Sequence, residues 1–349
     1  MKNGLILILI LCLLMFIIPF FAVTDNNSIT YSNPTDDNSS DNNDNKPIKV
    51  PDYFIVLNKD TTKTQKLNEK EYLYGAIACE MPPTFNKEAI KAQAVAAYTY
   101  SYRQRIQQLD KPLEDLNGAH FSIEPSKNLG YITKDQMKSR WNDKFNEYYK
   151  IIKDCVDEVY GNIITYDGEP IVAVYHSISA GETETAFNYW GNDVSYLKSA
   201  GSFDDENAPD YQTNLTISKD ELISKATKTY PDINFPDDEI INDIIKTDVG
   251  TVTSINIGDK TITGIEFRNF LSLRSANFNI TAENDDIIIS VIGYGHGVGM
   301  SQYGAHFMAE KGSKWQDILK HYYTDVNISN LSEIKEVFNQ NNDDNNSLI

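Results

Sequence analysis

The chain has 349 residues, and its 50 acidic residues outnumber its 31 Lys and Arg residues, which gives a formal net charge of −19 at pH 7. Nucleic-acid-binding proteins need a basic surface, so this charge argues against that class of function. With three cysteines the chain has no disulfide framework. Cys79 and Cys155 could pair in an oxidising compartment, but we expect both to be small buried thiols.

The N-terminus predicts a membrane anchor. Residues 4–23 contain no charged side chain, and at a rise of ~1.5 Å per residue a helix of this length spans about 30 Å, the thickness of a bilayer core. Lys2 supplies the nearby positive charge, so residues 1–3 are predicted to be a cytoplasmic stub and the rest of the chain to lie outside. A cleaved signal peptide is the alternative, although no good cleavage site follows the apolar run.

Two polar segments flank the predicted folded region. Residues 24–49 and 337–349 are rich in Asn, Asp and Ser and poor in large apolar side chains. Such segments bury too little apolar surface to offset their ordering entropy, so we predict a disordered tether and a disordered tail. Residues 50–336 form the predicted extracytoplasmic domain, which is long enough for one elaborate core or two packed lobes.

The folded region begins with a predicted strand at residues 53–57 and a helix that ends close to a carboxylate. Asn68, with Glu71 three residues later, is a variant of the capping box that starts helices. The helix has to stop near Glu80, because a Pro-Pro pair follows at residues 82–83.

A second helix is predicted from the Asn86 cap to about Leu109. Between residues 89 and 97 it is apolar around nearly its whole circumference, which is typical of a buried helix. Lys91 lies in this stretch and needs a partner if it is buried, and Glu80 is the natural candidate. The alternative is that Glu80 is a surface residue and that Lys91 extends to water.

A histidine at a strand end indicates a second part of a site. Residues 161–166 and 170–175 predict a hairpin around an Asp-Gly turn, and the second strand leads into His176 and Ser177. Glu182 and Glu184 follow shortly after. This segment could border a site, or the histidine could cap a turn. Ser177 lacks the glycine pattern of a nucleophile elbow.

Four more strands and a glycine-rich loop complete the chain. The strands are predicted at residues 251–257, 261–263, 276–280 and 286–292, and helices at about 302–310 and after residue 313. Residues 293–304 contain five glycines, which allow close backbone approach, but the loop lacks the Lys-Ser/Thr of a phosphate loop. His296, His306 and His321 are too scattered to predict a metal site.

Strands and helices do not alternate as βαβ units, so we predict an α+β fold. In this fold, a helical portion that carries Glu80 and Lys91 packs against a mainly antiparallel sheet region. The cleft is expected between the two.

Three blocks of the sequence resemble the stage II sporulation protein D family. They read EYLYGAIACEMPPTFNKEAIKAQAVAAYTY, YHSISAGETETAFNYWGNDVSYLKS and GYGHGVGMSQYGAHFMAEKGSKWQDILKHYY. The resemblance implies a lytic transglycosylase that acts on peptide-free glycan strands during engulfment of the forespore. It also implies an amidase and a multi-span membrane protein as partners, and a location in the mother-cell membrane facing the intermembrane space.

The resemblance also implies roles for individual residues. The catalytic acid is Glu80. The substrate-binding residues are Lys91, Tyr98, Tyr175, His176, Ser177, His296 and Gln302. Tyr98 stands where the family usually has Arg, and an aromatic ring can stack on a sugar but cannot supply a charged fork. Some relatives bind zinc through cysteines, but this chain has Ser122 and Asn128 at those positions, so we predict no metal and no cofactor.

A single carboxylate is sufficient for this chemistry. Protonated Glu80 would donate to the glycosidic oxygen of N-acetylmuramic acid, and its carboxylate would then help the 6-hydroxyl of the same sugar to form a 1,6-anhydro product. The apolar surroundings of Glu80 should raise its pKa. The alternatives are a hydrolase that uses Glu182 or Glu184 as a second carboxylate and a non-catalytic glycan-binding scaffold for an amidase.

Overall fold

The computed structural model describes residues 52–124, 130–236 and 240–331. The predicted anchor, tether and tail lie outside these residues. Within the described ranges, no helix is both long and apolar enough to cross a membrane.

The described residues form short strands and helices in alternating groups. The helices are α1 (Glu69–Glu80), α2 (Lys87–Asp110), α3 (Lys134–Trp141), α4 (Phe145–Val159), α5 (Ala186–Trp190), α6 (Lys219–Thr229), α7 (Gly264–Leu271), α8 (Gln302–Glu310) and α9 (Trp315–Tyr322). The strands are β1 (Tyr53–Asn58), β2 (Lys63–Asn68), β3 (Phe121–Ile123), β4 (Asn162–Tyr166), β5 (Glu169–Pro170), β6 (Tyr175–His176), β7 (Gln212–Ser218), β8 (Ile241–Lys246), β9 (Val252–Ile257), β10 (Lys260–Thr263), β11 (Phe278–Glu283), β12 (Asp286–Ile292), β13 (Met300–Ser301) and β14 (Asn327–Asn330).

The strands pair in small sheets with the orders β2-β1-β3, β10-β9-β8, β11-β12-β7, β13-β6 and β14-β4-β5. Most neighbours are antiparallel, and β1–β3 and β6–β13 are parallel. The predicted α+β class is therefore confirmed.

The first hydrophobic core surrounds α2. The alanines of α2 between residues 89 and 97 are all buried, as the apolar pattern predicted. Their small side chains allow neighbouring elements to approach closely, and α1, α4, α8, α9 and β4 all pack against α2. Helix α4 adds one apolar face to this core through Ile152, Cys155, Val156 and Val159.

A second core is formed by β7 to β12 together with α6 and α7. Its largest buried side chains include Phe267 and Phe278, whose rings stack 5.0 Å apart. This part of the chain follows the 3-10 turn Phe203–Asn207 and ends where the glycine-rich loop returns to the first core at Val298. The described residues thus contain two hydrophobic cores, each built from its own set of elements.

Local signals fix both ends of the helix that carries Glu80. The Asn68 side chain accepts a hydrogen bond from the backbone N–H of Lys70 at the start of α1, and Asn86 caps α2 in the same way. Helix α1 ends at Glu80 because Met81 is extended before the Pro-Pro pair.

The hairpin prediction is correct for the turn and wrong for the length of its second strand. Asp167 and Gly168 have φ of 49° and 83°, as a tight hairpin turn requires. The predicted strand at residues 170–175 is instead divided between β5 and β6. The reason is tertiary: β6 leaves the hairpin and pairs in parallel with β13.

Candidate active site

Glu80 lies half-buried at the C-terminal end of α1. Burial raises its pKa from 4.5 to about 7, and a hydrogen bond from Gln302 opposes the shift. The partial negative charge at a helix C-terminus also disfavours an ionised carboxyl group. Glu80 therefore exchanges its proton near neutral pH, which suits a general acid.

Tyr175 lies beside this carboxyl group. Burial, followed by the charge of Glu80, raises the pKa of the Tyr175 hydroxyl well above its ordinary value, so it is a neutral hydrogen-bonding group at pH 7. Its position follows from the short parallel pairing of β6 with β13, in which Tyr175 is opposite Met300 and His176 is opposite Ser301. The same pairing brings Gln302, the next residue after β13, to Glu80.

A glutamine side chain contacts Glu80, and a second glutamine contacts the first. The Gln302 amide contacts the Glu80 carboxyl group, and its Nε2 also donates to Oε1 of Gln93 at 3.5 Å. Gln93 is 0% exposed, and the Ala-rich helix α2 holds it in place. The sequence indicated Gln302 through the resemblance, whereas the role of Gln93 required the fold.

Asp205 is a positioning residue that sequence reasoning missed. It lies fully buried in the 3-10 turn, and its Oδ2 accepts hydrogen bonds from the Ser301 hydroxyl at 2.6 Å and from the Ser179 backbone N–H at 2.7 Å. The Ser301 hydroxyl in turn accepts from Gly304 N–H and caps α8. Asp205 thereby joins the segment that follows β6 to the start of the helix that carries Gln302.

His176, which follows Tyr175 in β6, and His296 of the glycine-rich loop form a pair of neutral rings whose centroids are 5.7 Å apart. Nδ1 of His176 lies 3.1 Å from the carbonyl oxygen of Val298, and Nδ1 of His296 accepts from the backbone N–H of Val298 at 3.0 Å. Burial lowers the pKa of His176 to about 4 and that of His296 well below its ordinary value. Both rings are neutral at pH 7, so they orient groups and do not supply charge.

The glycine-rich loop can pack this closely only because of its glycines. Gly295 has φ of 119°, and a Cβ there would lie 2.6 Å from Cβ of His176. A Cβ at Gly299 would lie 2.2 Å from the carbonyl oxygen of Val174. The predicted close backbone approach is therefore confirmed, and the approaching partner is the β6 segment.

Ser177 links the loop to α8 through its backbone. Its N–H donates to the carbonyl oxygen of Tyr294 at 3.1 Å, and its carbonyl oxygen accepts from the N–H of Tyr303 at 3.1 Å. This placement brings Ser177 together with Tyr175, His176, His296 and Gln302, and their role in substrate binding stays a prediction.

The predicted pairing of Lys91 with Glu80 is wrong. Lys91 is 8% exposed, and its ammonium group forms salt bridges with Glu88 at 2.9 Å and with Glu158 at 2.5 Å. Glu158 lies on α4, so its proximity depends on helix packing that the sequence of α2 does not encode. A cation beside Glu80 would lower the pKa of its carboxyl group, and Lys91 is not among the causes of the shift.

Tyr98 is directed away from the site. It is 3% exposed, and its hydroxyl donates to Oε2 of Glu69 at 2.7 Å. Arg105 and Tyr160 bind the same buried carboxylate at 2.5 Å. Tyr98 therefore belongs to a buried polar cluster, in which Arg105, two helical turns along α2, supplies a guanidinium group. A sugar ring cannot reach Tyr98 in this arrangement.

Neither candidate for a second carboxylate acts on Glu80. Glu184 is 1% exposed and accepts hydrogen bonds from Thr185 N–H, the Asn188 amide and the Thr247 hydroxyl at 2.7–2.8 Å. Glu182 is exposed. The pKa shift of Glu80 has two causes, burial and Gln302, and neither glutamate is among them.

Cys79 and Cys155 form no disulfide, and Cys155 is buried as expected while Cys79 is half-buried next to Glu80. Within the described residues, no three His, Cys, Asp or Glu side chains are grouped to hold a metal ion. Asn128 lies outside those residues, so the absence of zinc remains a prediction.

A cavity of about 20 Å³ lies behind the glycine-rich loop, lined by Glu184, His296 and Asn277 among others. This volume holds about one water molecule. The lining residues come both from the part of the chain that follows β6 and from the part that forms the second core. Glu80 is not among them. The site around Glu80 is instead built from elements of the first core.

Known proteins resemble this chain over most of its length. Residues 57–166 match the family model described as stage II sporulation protein. The chain is 34% identical over 284 residues to the stage II sporulation protein D of Bacillus subtilis (strain 168), with 81% of this chain and 79% of the relative covered. The protein of that name from Bacillus amyloliquefaciens is 34% identical over 288 residues, with 81% and 79% covered.

A more distant relative is the amidase enhancer of Bacillus subtilis (strain 168), which is 27% identical over 310 residues, with 74% of this chain and 40% of the relative covered. The identity and coverage of the two sporulation proteins decide the assignment. The chain belongs to the stage II sporulation protein D family.

Proposed function

We propose that this protein is a lytic transglycosylase that cleaves the bond between N-acetylmuramic acid and N-acetylglucosamine in peptide-free glycan strands. One observation carries the proposal: Glu80 is a half-buried carboxyl group whose pKa is raised to about 7, next to the neutral donors Tyr175 and Gln302. This is the arrangement that a general acid requires at neutral pH.

In the first step, protonated Glu80 donates to the glycosidic oxygen, and the bond from that oxygen to the anomeric carbon breaks. The leaving sugar departs with a new hydroxyl group. The positive charge that develops on the ring of N-acetylmuramic acid is then next to the Glu80 carboxylate. The amide of Gln302 donates to that carboxylate and limits its basicity.

In the second step, the 6-hydroxyl of the same sugar attacks the anomeric carbon, and Glu80 accepts its proton. A 1,6-anhydro bond forms, no water is consumed and the acid is regenerated. A hydrolase would need a second carboxylate to activate water or form a covalent intermediate. Glu184 is buried and already accepts three hydrogen bonds, which favours the one-carboxylate route.

Family membership supports the proposed cellular role. We place this activity in remodelling of the cell wall during sporulation and engulfment. Residues 4–23 would anchor the domain in the mother-cell membrane, facing the intermembrane space. The name of the relative called amidase enhancer supports an amidase partner that strips stem peptides before this enzyme acts, and a multi-span membrane protein would complete the complex.

The test is a digest of peptide-free glycan strands with the wild-type protein and with Glu80→Gln, analysed by mass spectrometry. We expect products about one water lighter than hydrolysis products from the wild type and none from the variant. Glu182→Gln is the matched control, because it removes an exposed carboxylate close in sequence to the His176 turn, and it should cleave normally.

Other outcomes would select the alternatives. Products with free reducing ends would indicate a two-carboxylate hydrolase. Strands that bind both proteins without being cleaved would indicate a glycan-binding scaffold for the amidase.

A further inference from the structure

The short helix α5 presents aromatic side chains at the surface. Phe187 is 59% exposed, although Phe is usually buried. Trp190 is half-buried, and it follows Phe187 by one helical turn, so the two side chains share a face. An exposed Phe ring beside a half-buried Trp ring on one face differs from the scattered single apolar residues that any protein surface carries.

Helix α5 is short, but hydrogen bonds at its start and a glycine at its end fix its conformation. Five residues do not form a stable helix on their own, but the Thr185 hydroxyl caps the first turn by accepting from Asn188 N–H at 3.1 Å. The buried carboxylate of Glu184 binds both Thr185 N–H and the Asn188 amide at 2.8 Å. Gly191 ends the helix in the left-handed conformation. Glu184 thus has a structural reason to be buried: it fixes α5.

The aromatic face of α5 continues toward Glu80. The Trp190 ring lies 5.2 Å from the ring of His296, centroid to centroid. The His296 ring also hydrogen-bonds to the backbone of Tyr175, and Tyr175 lies beside Glu80. Two residues, His296 and Tyr175, therefore connect the exposed rings to the proposed acid.

We propose that Phe187, Trp190 and His296, here called the aromatic platform, form a binding subsite for a sugar unit of the glycan strand away from the bond that is cleaved. This proposal rests on the proposed function, because it takes the strand that Glu80 would cut as its ligand. The flat rings offer a face of negative potential to the C–H groups of a pyranose.

A glycan fits this surface better than a protein does. Helix α5 carries no charged residue, which matches the uncharged N-acetylglucosamine units of the strand better than the N-acetylmuramic acid units, which carry a lactyl carboxylate. A stable protein interface buries about 800 Å² on each partner, far more than the exposed ring of Phe187 and the half-buried ring of Trp190 provide. Because contacts connect the platform to Glu80, a single glycan strand could contact the platform and Glu80 at the same time.

The platform predicts a dependence on strand length. Because the contacts between Glu80 and α5 run through Tyr175, His296 and Trp190, we expect a disaccharide at Glu80 to end before Phe187 and longer strands to cover it. Covering about half of a Phe side chain corresponds to roughly a tenfold gain in affinity. Removing the Phe187 ring should therefore weaken binding of long strands and leave short ones unaffected.

The experiment measures binding of peptide-free glycan strands, from disaccharide to octasaccharide, to the full chain that carries Glu80→Gln. Phe187→Ser is added to this background, and Leu113→Ser is the control. Leu113 is 50% exposed. It follows the last residue of α2, Asp110, which lies about 25 Å from Gln93 along the helix axis. Both changes remove an exposed apolar side chain, so neither should unfold the domain, which circular dichroism checks.

We expect Phe187→Ser to raise the Kd for the octasaccharide roughly tenfold and Leu113→Ser to leave it unchanged. An equal Kd for Phe187→Ser and its parent would overturn the platform, as would an equal loss with Leu113→Ser or a loss that is the same for all strand lengths. Binding is measured without the acid, so the platform is tested separately from the reaction. If the wild type cleaves nothing but Phe187→Ser still weakens long strands, the proposed reaction fails and the platform stands.

Discussion

Replacing Glu80 with Gln should abolish cleavage and at the same time stabilise the fold at alkaline pH. The carboxyl group holds its proton more tightly in the folded protein, with a pKa of about 7, than in the unfolded chain, where 4.5 applies. The contribution of the protonated carboxyl group to the free energy of unfolding is fully present below pH 4.5, and it is lost as the pH rises through about 7. Above pH 7 the folded protein therefore contains a partly buried carboxylate that disfavours the folded state.

The magnitude follows from the size of the shift. A rise from 4.5 to about 7 corresponds to roughly 3 kcal/mol at pH 8. Because Glu80 is half-buried, solvent screening reduces this value, and roughly 3 kcal/mol is an upper bound. Gln has the shape of the protonated acid and no charge, so Glu80→Gln should recover most of this free energy at pH 8 and almost none at pH 4.5.

The assay is thermal unfolding of the wild type, Glu80→Gln and Glu182→Gln across pH 4.5 to 8.5. We expect Tm of Glu80→Gln to exceed that of the wild type by several degrees at pH 8, up to about 10 °C, and to converge with it at pH 4.5. His176 and His296 titrate alike in the three proteins, so their contributions cancel in the difference. A constant difference in Tm across the pH range, or a less stable variant at pH 8, would refute the raised pKa.

Three further predictions concern the site and the buried polar cluster around Glu69. Gln302→Leu removes the hydrogen bond that lowers the pKa of Glu80, so the alkaline limb of the pH profile of kcat/KM should move to higher pH; a shift to lower pH would contradict this. Arg105→Met leaves the buried carboxylate of Glu69 without its cation and should cost roughly 3–5 kcal/mol in urea unfolding; a loss below about 1 kcal/mol would contradict it. Gly304→Ala places a Cβ 2.1 and 2.2 Å from two buried hydroxyl oxygens and should destabilise the fold by roughly 1–3 kcal/mol, and unchanged Tm would show that the site relaxes.

The sequence alone predicted the local framework of the site. The Asn68 and Asn86 caps, the end of α1 at Glu80 and the burial of α2 follow from interactions within a few residues and from the apolar pattern of one helix. The close approach of the glycine-rich loop was also predictable, because only glycine permits such backbone contacts. Each of these features depends on residues within a short stretch of the chain, so the sequence of that stretch is sufficient to predict it.

The tertiary structure decided which side chains meet. Lys91 pairs with Glu158 of α4 instead of Glu80, and Tyr98 turns inward to the carboxylate of Glu69, although both residues lie on a helix that was placed correctly. Helical periodicity fixes the face on which a side chain lies, but it does not say which element covers that face. The partners of a buried polar group come from distant parts of the chain, so its role was settled only when the helices and strands packed.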